Sequence, residues 1–123
     1  MTDMESSLKE AMQIDGALGA ALVDYTSGMA LGTIGTSKDF DLSIAAAGNT
    51  DVVRAKLRTL EMLKLKESIE DILITLANQY HLIRPLTSRN AQGLFLYVVL
   101  SKNRANLAMA RHRLKTIEEE LQM

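Results

Sequence analysis

The chain contains no cysteine and no tryptophan, and it has a single proline among its 123 residues. Without cysteine there is neither a disulfide framework nor a thiolate metal site, and this suits a reducing, cytoplasmic environment. Aromatic residues make up only 4% of the chain, so the core has to be built from Ala, Leu, Ile, Val and Met. The lone Pro85 leaves room for long uninterrupted helices and strands.

Charge and hydropathy exclude further classes of protein. The formal net charge is -1 and acidic residues interleave with the basic ones, so nothing draws the chain to nucleic acid or to anionic lipid. No run approaches the roughly 18 apolar residues of a membrane span. The acidic start Met1–Glu5 lacks the basic-then-apolar order of a signal peptide. We therefore expect a cytoplasmic protein with no membrane insertion, forming a single domain over residues 1–123.

Three segments have the apolar period of a helix. The first opens with the capping-box pattern Thr2-Asp3-Met4-Glu5 and is followed by Gly16. The second can be capped by Ser37, and the third by Ser101 or Asn103. Glu118, Glu119 and Glu120 end the third helix where the macrodipole disfavours them, so we expect that end to fray or to meet a basic partner. The first two helices are predicted over residues 3–13 and 39–64.

Five segments have the composition of strands, at residues 17–24, 29–34, 71–76, 80–86 and 94–100. The first and the last are apolar on both alternations, so they have to lie in the middle of a sheet that is covered on both faces. Segment 29–34 contains Gly32 and is bracketed by two further glycines, which is typical of a short edge strand. The prediction is an α/β three-layer sandwich in the order α-β-β-α-β-β-β-α, with a five-stranded, mainly antiparallel sheet.

No constellation of residues supports catalysis. The segment Gly16–Gly19 lacks the rest of either nucleotide-binding fingerprint. Asp24, Ser27 and His81 can be written as a hydrolase triad, but no serine lies in a nucleophile-elbow sequence, and a turn accounts for the first two. Neither His81 nor His112 has a second ligand at metal spacing. We therefore expect no catalytic residue, no metal and no cofactor.

The second helix has two apolar stripes. One, made of Leu42, Ala46, Val53, Leu57 and Leu60, should face the sheet. The other is slender enough to let a second backbone approach closely, and the polar residues beside it could set the register of a helix pair. The alternative is that the sheet-facing arc is simply wide. An edge strand has to be protected or paired, and pairing 29–34 with its own copy would give an isologous dimer with one continuous sheet. The predicted dimer or partner interface is Ala45, Gly48, Asn49, Val52, Ala55, Lys56, Thr59, Leu31 and Thr33.

The whole pattern resembles the roadblock/dynein light-chain superfamily, in particular its prokaryotic branch associated with small GTPases. The residues that carry the resemblance are Gly16–Asp24 with Ser27-Gly28, Asp71–Ile74 with Tyr80–Leu86, Gly93–Val98 and Ser101–Ala108. The resemblance implies the roadblock/profilin-like fold and a non-catalytic homodimeric scaffold, whose edge strands pair into a ten-stranded sheet and whose second helices pair antiparallel.

The same resemblance implies a partner. Members of the superfamily bind Ras-like small GTPases, so the protein is expected to regulate one by modulating its GTP hydrolysis or its localisation. The alternative is a ligand-sensing or adaptor module in a signalling complex.

Overall fold

The computed structural model describes residues 3–35 and 40–121. The predicted order of helices and strands is confirmed, with a 3₁₀ turn at Arg89–Ala91 before the last strand. The elements are α1 (Met4–Met12), β1 (Ala17–Asp24), β2 (Met29–Gly35), α2 (Leu42–Met62), β3 (Ile72–Thr75), β4 (Gln79–Pro85), β5 (Leu94–Ser101) and α3 (Leu107–Glu120).

The five strands form one sheet in the order β2-β1-β5-β4-β3, and every neighbouring pair is antiparallel. The doubly apolar strands β1 and β5 lie side by side in its interior, as their composition predicts. β2 lies at an edge, in agreement with its glycine-rich sequence. β3 forms the second edge, because within the described chain it pairs with β4 alone.

Helices cover both faces of the sheet. Leu96, Val98 and Leu100 of β5 pack against α1 and α3, whereas the alternating residues Phe95 and Tyr97 pack under α2. All five side chains are buried. Burying each of them contributes about 1.5–3 kcal/mol, so β5 is the main hydrophobic anchor of a three-layer sandwich.

Aspartates cap the first two helices. Oδ1 of Asp3 accepts the N–H of Ser6 at 2.8 Å, and Oδ1 of Asp41 accepts that of Ser43 at 2.8 Å. The predicted caps Thr2 and Ser37 lie outside the described residues. Each carboxylate satisfies a helix N–H that would otherwise lack a partner and complements the positive end of the macrodipole.

The predicted cap of α3 is wrong. Asn106 caps this helix, with its Oδ1 accepting the N–H of Met109 at 3.1 Å. Ser101 ends β5 and Asn103 lies in a separate turn, in which the carbonyl of Ser101 accepts the N–H of Ala105 at 2.9 Å. Because this turn follows β5, α3 begins only at Leu107.

The end of α3 does not fray at Glu118, which is buried. Its carboxylate accepts a hydrogen bond from Nε of Arg84 at 2.8 Å and another from the N–H of Thr87 at 2.8 Å. Of the two outcomes expected for this acidic end, the basic partner is correct, and it comes from β4 of the same chain.

The β1–β2 connection has the predicted turn chemistry. Oδ1 of Asp24 accepts the N–H of Thr26 at 2.8 Å and its hydroxyl at 2.6 Å, and Gly28 supplies a left-handed φ of 81°. The hydrogen bonds from Thr26 hold the pKa of Asp24 below its ordinary value. Among the described helices, none is long and apolar enough to cross a bilayer.

Candidate functional site

The residues that could be written as a hydrolase triad do not meet. Asp24 pairs with Leu94 of β5, whereas His81 pairs with Val99 of the same strand. These positions on β5 are five residues apart, about 17 Å along a strand. Within residues 3–35 and 40–121, there is also no group of three or more His, Asp or Glu side chains that could hold a metal ion.

His81 is instead a hydrogen-bonded residue under α2. Its Nε2 lies 2.9 Å from Oε1 of Gln79, and its Nδ1 lies 3.0 Å from the hydroxyl of Tyr97. The ring of Phe40 meets it edge-on at 5.7 Å between centroids. Because the Gln79 oxygen only accepts, Nε2 carries the proton of the neutral ring and Nδ1 accepts from the tyrosine.

Burial keeps this cluster uncharged near neutral pH. It lowers the pKa of His81 and raises the pKa of Tyr97 to about 12. A neutral imidazole and a protonated phenol satisfy each other without a buried charge. The cluster therefore packs beneath α2 as a set of hydrogen-bonded, uncharged side chains.

Four of the five α2 residues predicted to face the sheet do so, whereas Leu60 is half-buried outside the core cluster beneath α2. Ala46 and Val53 are fully buried, and Leu42 and Leu57 pack against the same core cluster. The slender stripe turns outward: Gly48, Val52, Ala55 and Thr59 are all exposed, while Ala45 is half-buried. The sheet-facing arc is therefore not wide enough to cover this stripe.

Two large apolar residues extend the exposed stripe, and neither belongs to the predicted interface. Ile44 is 72% exposed at the start of α2, and Met62 is 75% exposed at its end. The sequence does place both residues on this stripe, because they continue its three- and four-residue helical spacing. We call this set the outer seam of α2: Ile44, Ala45, Gly48, Val52, Ala55, Thr59 and Met62.

The outer seam borders the β3 edge of the sheet. An open groove of about 600 Å³ lies beside β3. It is lined by Val52, Ala55, Lys56 and Thr59 on α2, by Ile69 and Asp71 just before β3, and by Ile72 at its start. The carboxylate of Asp71 is already held by Arg111 of α3, with Nε 2.8 Å from Oδ2. The groove thus joins an exposed helix face to an unpaired strand edge.

The opposite flank of α2 is used within the chain. Nε of Arg54 donates to the carbonyl of Tyr25 at 2.7 Å, and its Nη2 donates to the carbonyl of Thr26. These contacts fasten α2 to the β1–β2 turn. This flank is therefore occupied where it meets the turn.

The predicted site consequently falls into two places. Val52, Ala55, Lys56 and Thr59 lie together near β3, and Ala45, Gly48 and the half-buried Asn49 lie earlier on the same helix. Leu31 and Thr33 are exposed on β2 at the other edge of the sheet. Leu31 also lies in a β-bulge, because Leu22 pairs with Gly32 and Val23 with Ala30. A bulge twists an edge strand and weakens its fit to another strand. The structure does not bring Leu31 and Thr33 to the outer seam.

These features define a Roadblock/LC7-fold domain with an exposed helix face. A Roadblock/LC7 domain from Streptomyces avermitilis matches it with a TM-score of 0.79 and 13% sequence identity, covering 96% of this chain and 93% of that one. The gliding protein MglB from Thermus thermophilus matches with a TM-score of 0.77 and 17% identity, covering 94% and 82%. MglC from Myxococcus xanthus gives a TM-score of 0.59 and 19% identity, covering 94% and 93%.

No protein-family model and no curated protein matches the sequence. The structural likeness nevertheless confirms the fold expected from the resemblance.

Proposed function

We propose that the protein is a non-catalytic homodimeric scaffold that binds a Ras-like small GTPase in the cytoplasm and modulates its GTP hydrolysis or its localisation. The observation that carries this proposal is the outer seam, which is exposed from Ile44 to Met62 except at the half-buried Ala45, on a domain of roadblock fold. The MglB and MglC structures share that fold, and one MglB is described in a tetrameric arrangement.

A second copy is the best cover for the seam. An apolar helix face that is exposed over its full length marks an interface more often than a free surface. A stable dimer covers about 800 Å² on each partner, which the 21-residue helix and an adjoining strand can provide.

The geometry favours β3 over β2 as the edge that joins the two sheets. Pairing β3 with its own copy, around a two-fold axis perpendicular to the sheet, gives ten continuous strands and places both α2 helices on the same face. The outer seams then meet across the groove. The β2 edge lies beyond the flank of α2 that Arg54 fastens and contains the bulge at Leu31. Leu31 and Thr33 would then lie at the outer ends of the joined sheet, free for another partner.

The function is tested by mixing the purified protein with the Ras-like GTPases of its source organism. We expect one of them to co-elute with it and to change its rate of GTP turnover. Val52→Arg, which places a charge in the outer seam, should abolish both effects if the dimer forms the surface that binds the GTPase. No complex with any of these GTPases would contradict the GTPase role. Stabilisation by a metabolite in a thermal-shift screen would then favour the ligand-sensing alternative.

A further inference from the structure

We propose that α2 also sets the register of this dimer, with Asp51 of each subunit facing Arg58 of the partner subunit. The inference rests on the proposed homodimer and names the contacts that would fix its alignment. Asp51 and Arg58 are both exposed, and neither forms an ion pair within the part of the chain that the structure describes. They are the charged residues on one flank of the outer seam.

The outer seam follows a seven-residue repeat across the 21 residues of α2. In a pair of helices, positions a and d of such a repeat face the partner, and positions e and g flank them. Here a is Ala45, Val52 and Thr59, and d is Gly48, Ala55 and Met62. Position g is Ile44, Asp51 and Arg58, and e is Asn49 and Lys56, followed by Leu63 at the C-cap of the helix.

The sheet determines the direction of the helix pair. A two-fold axis perpendicular to the sheet is the symmetry that joins two β3 edges while keeping both helices on one face. The same axis makes the helices antiparallel. In an antiparallel pair each flank meets the same flank of the other helix, so position g faces position g.

One alignment satisfies the whole seam. When Val52 lies opposite Ala55 of the partner subunit, Gly48 lies opposite the partner's Thr59 and Ala45 opposite the partner's Met62. The slender centre allows close approach, and the large side chains of Ile44 and Met62 meet at both ends. Asp51 then faces Arg58 of the partner subunit, and the two-fold axis generates this pair twice.

Neighbouring alignments place like charges together. A slip of one heptad in one direction brings Asp51 against its own copy. A slip in the other direction brings Arg58 against its copy and Lys56 against its copy. Like charges across a helix pair are destabilising, so both slipped alignments should be less stable than the proposed one.

A charge-reversal cycle tests the register. Asp51→Arg and Arg58→Asp should each raise the dimer dissociation constant about tenfold, because two attractive contacts become repulsive. The double variant Asp51→Arg/Arg58→Asp should return to within about twofold of the unmodified protein. All are measured by sedimentation equilibrium, with helical content checked by circular dichroism.

Mixing the two single variants is the sharper measurement. An Asp51→Arg chain and an Arg58→Asp chain complement each other at both contacts, so together they should form a heterodimer tighter than either homodimer. A parallel pair would not show this rescue, because position 51 would then face Lys56 of the partner subunit.

Cysteine cross-linking gives an independent readout, since the chain has no cysteine of its own. Ala45→Cys/Met62→Cys should form a disulfide-linked dimer, whereas Ala45→Cys alone should not, because these sites lie about 25 Å apart along the pair. A dimer that ignores the charge reversals or cross-links through Ala45→Cys alone would overturn the register and leave the dimer standing. A monomeric unmodified protein would overturn both proposals.

Discussion

Arg84 and Glu118 form a largely buried ion pair that joins the end of β4 to the last turn of α3. Nε of Arg84 lies 2.8 Å from Oε1 of Glu118, and the two side chains are 15% and 8% exposed. Oε2 of Glu118 also accepts the N–H of Thr87 at 2.8 Å. The ion pair thus stabilises the C-terminal end of α3, where the run of glutamates is unfavourable to the helix dipole.

Glu118→Ala should destabilise the fold by about 2–3 kcal/mol, because the guanidinium of Arg84 and the N–H of Thr87 lose their acceptor at a partly buried position. Urea denaturation measures this as a lower free energy of unfolding. The control is Glu119→Ala, at an exposed neighbouring position, for which we expect a change within about 0.5 kcal/mol. Equal effects from the two variants would show that the pair contributes nothing.

His81 predicts a pH dependence of stability. Burial lowers the pKa of His81 below its usual 6.5, so the unfolded chain takes up this proton more readily than the folded chain does. The stabilising effect is complete above the unfolded pKa and is lost as the pH falls toward the folded one. The urea midpoint should drop between about pH 7.5 and about pH 5.5. His81→Gln should flatten that drop, and an unchanged slope in this variant would contradict the assignment.

Lys64 ends α2 in a conformation that suits glycine. Its φ is 59°, and the helix ends in a Schellman motif in which the N–H of Leu65 donates to the carbonyl of Leu60 at 3.0 Å. Lys64→Gly should therefore raise the free energy of unfolding by up to about 1 kcal/mol. The matched control is Lys66→Gly, also exposed but without a positive φ, which should not stabilise the protein. Equal effects of the two substitutions would contradict this interpretation.

Gly16 has a φ of 85°, and a Cβ there would lie 2.9 Å from the backbone nitrogen of Ala105. Gly16→Ala should cost about 2–3 kcal/mol, since the clash adds to the strain of the left-handed backbone. Gly28→Ala is the control, because its φ of 81° is similar but a Cβ there meets only a methyl group at 3.9 Å. It should cost about 1 kcal/mol. A similar loss of stability from both variants would show that the contact with Ala105 carries no weight.

Most of the fold can be predicted from the sequence, because each helix and strand has a clear hydrophobic period. The strands β1 and β5, apolar on both faces, can only lie inside a sheet. The full order of the strands cannot be predicted from the sequence. Composition identifies β2 as an edge strand but does not identify β3 as the other edge strand. The ion pair between Glu118 and Arg84 cannot be predicted from the sequence either, because Arg84 lies 34 residues earlier and only tertiary packing brings the two together.

The candidate site is predictable only in part. The slender stripe of α2 follows from helical spacing alone, and the structure shows it facing solvent. Ile44 and Met62 lie outside the predicted interface because a pattern of small residues does not include the large side chains that continue the same spacing. Leu31 and Thr33 are grouped with the stripe because both features suggest pairing, but strand order separates them.

The mass of the protein in solution, measured by multi-angle light scattering, tests the central claim most directly. The unmodified protein should have twice the 13.6 kDa of one chain, and Val52→Arg should shift it to a single chain. Ala47→Arg, exposed on another side of the same helix, should stay dimeric. A single-chain mass for the unmodified protein at micromolar concentration, or a dimer that persists with Val52→Arg, would contradict the account.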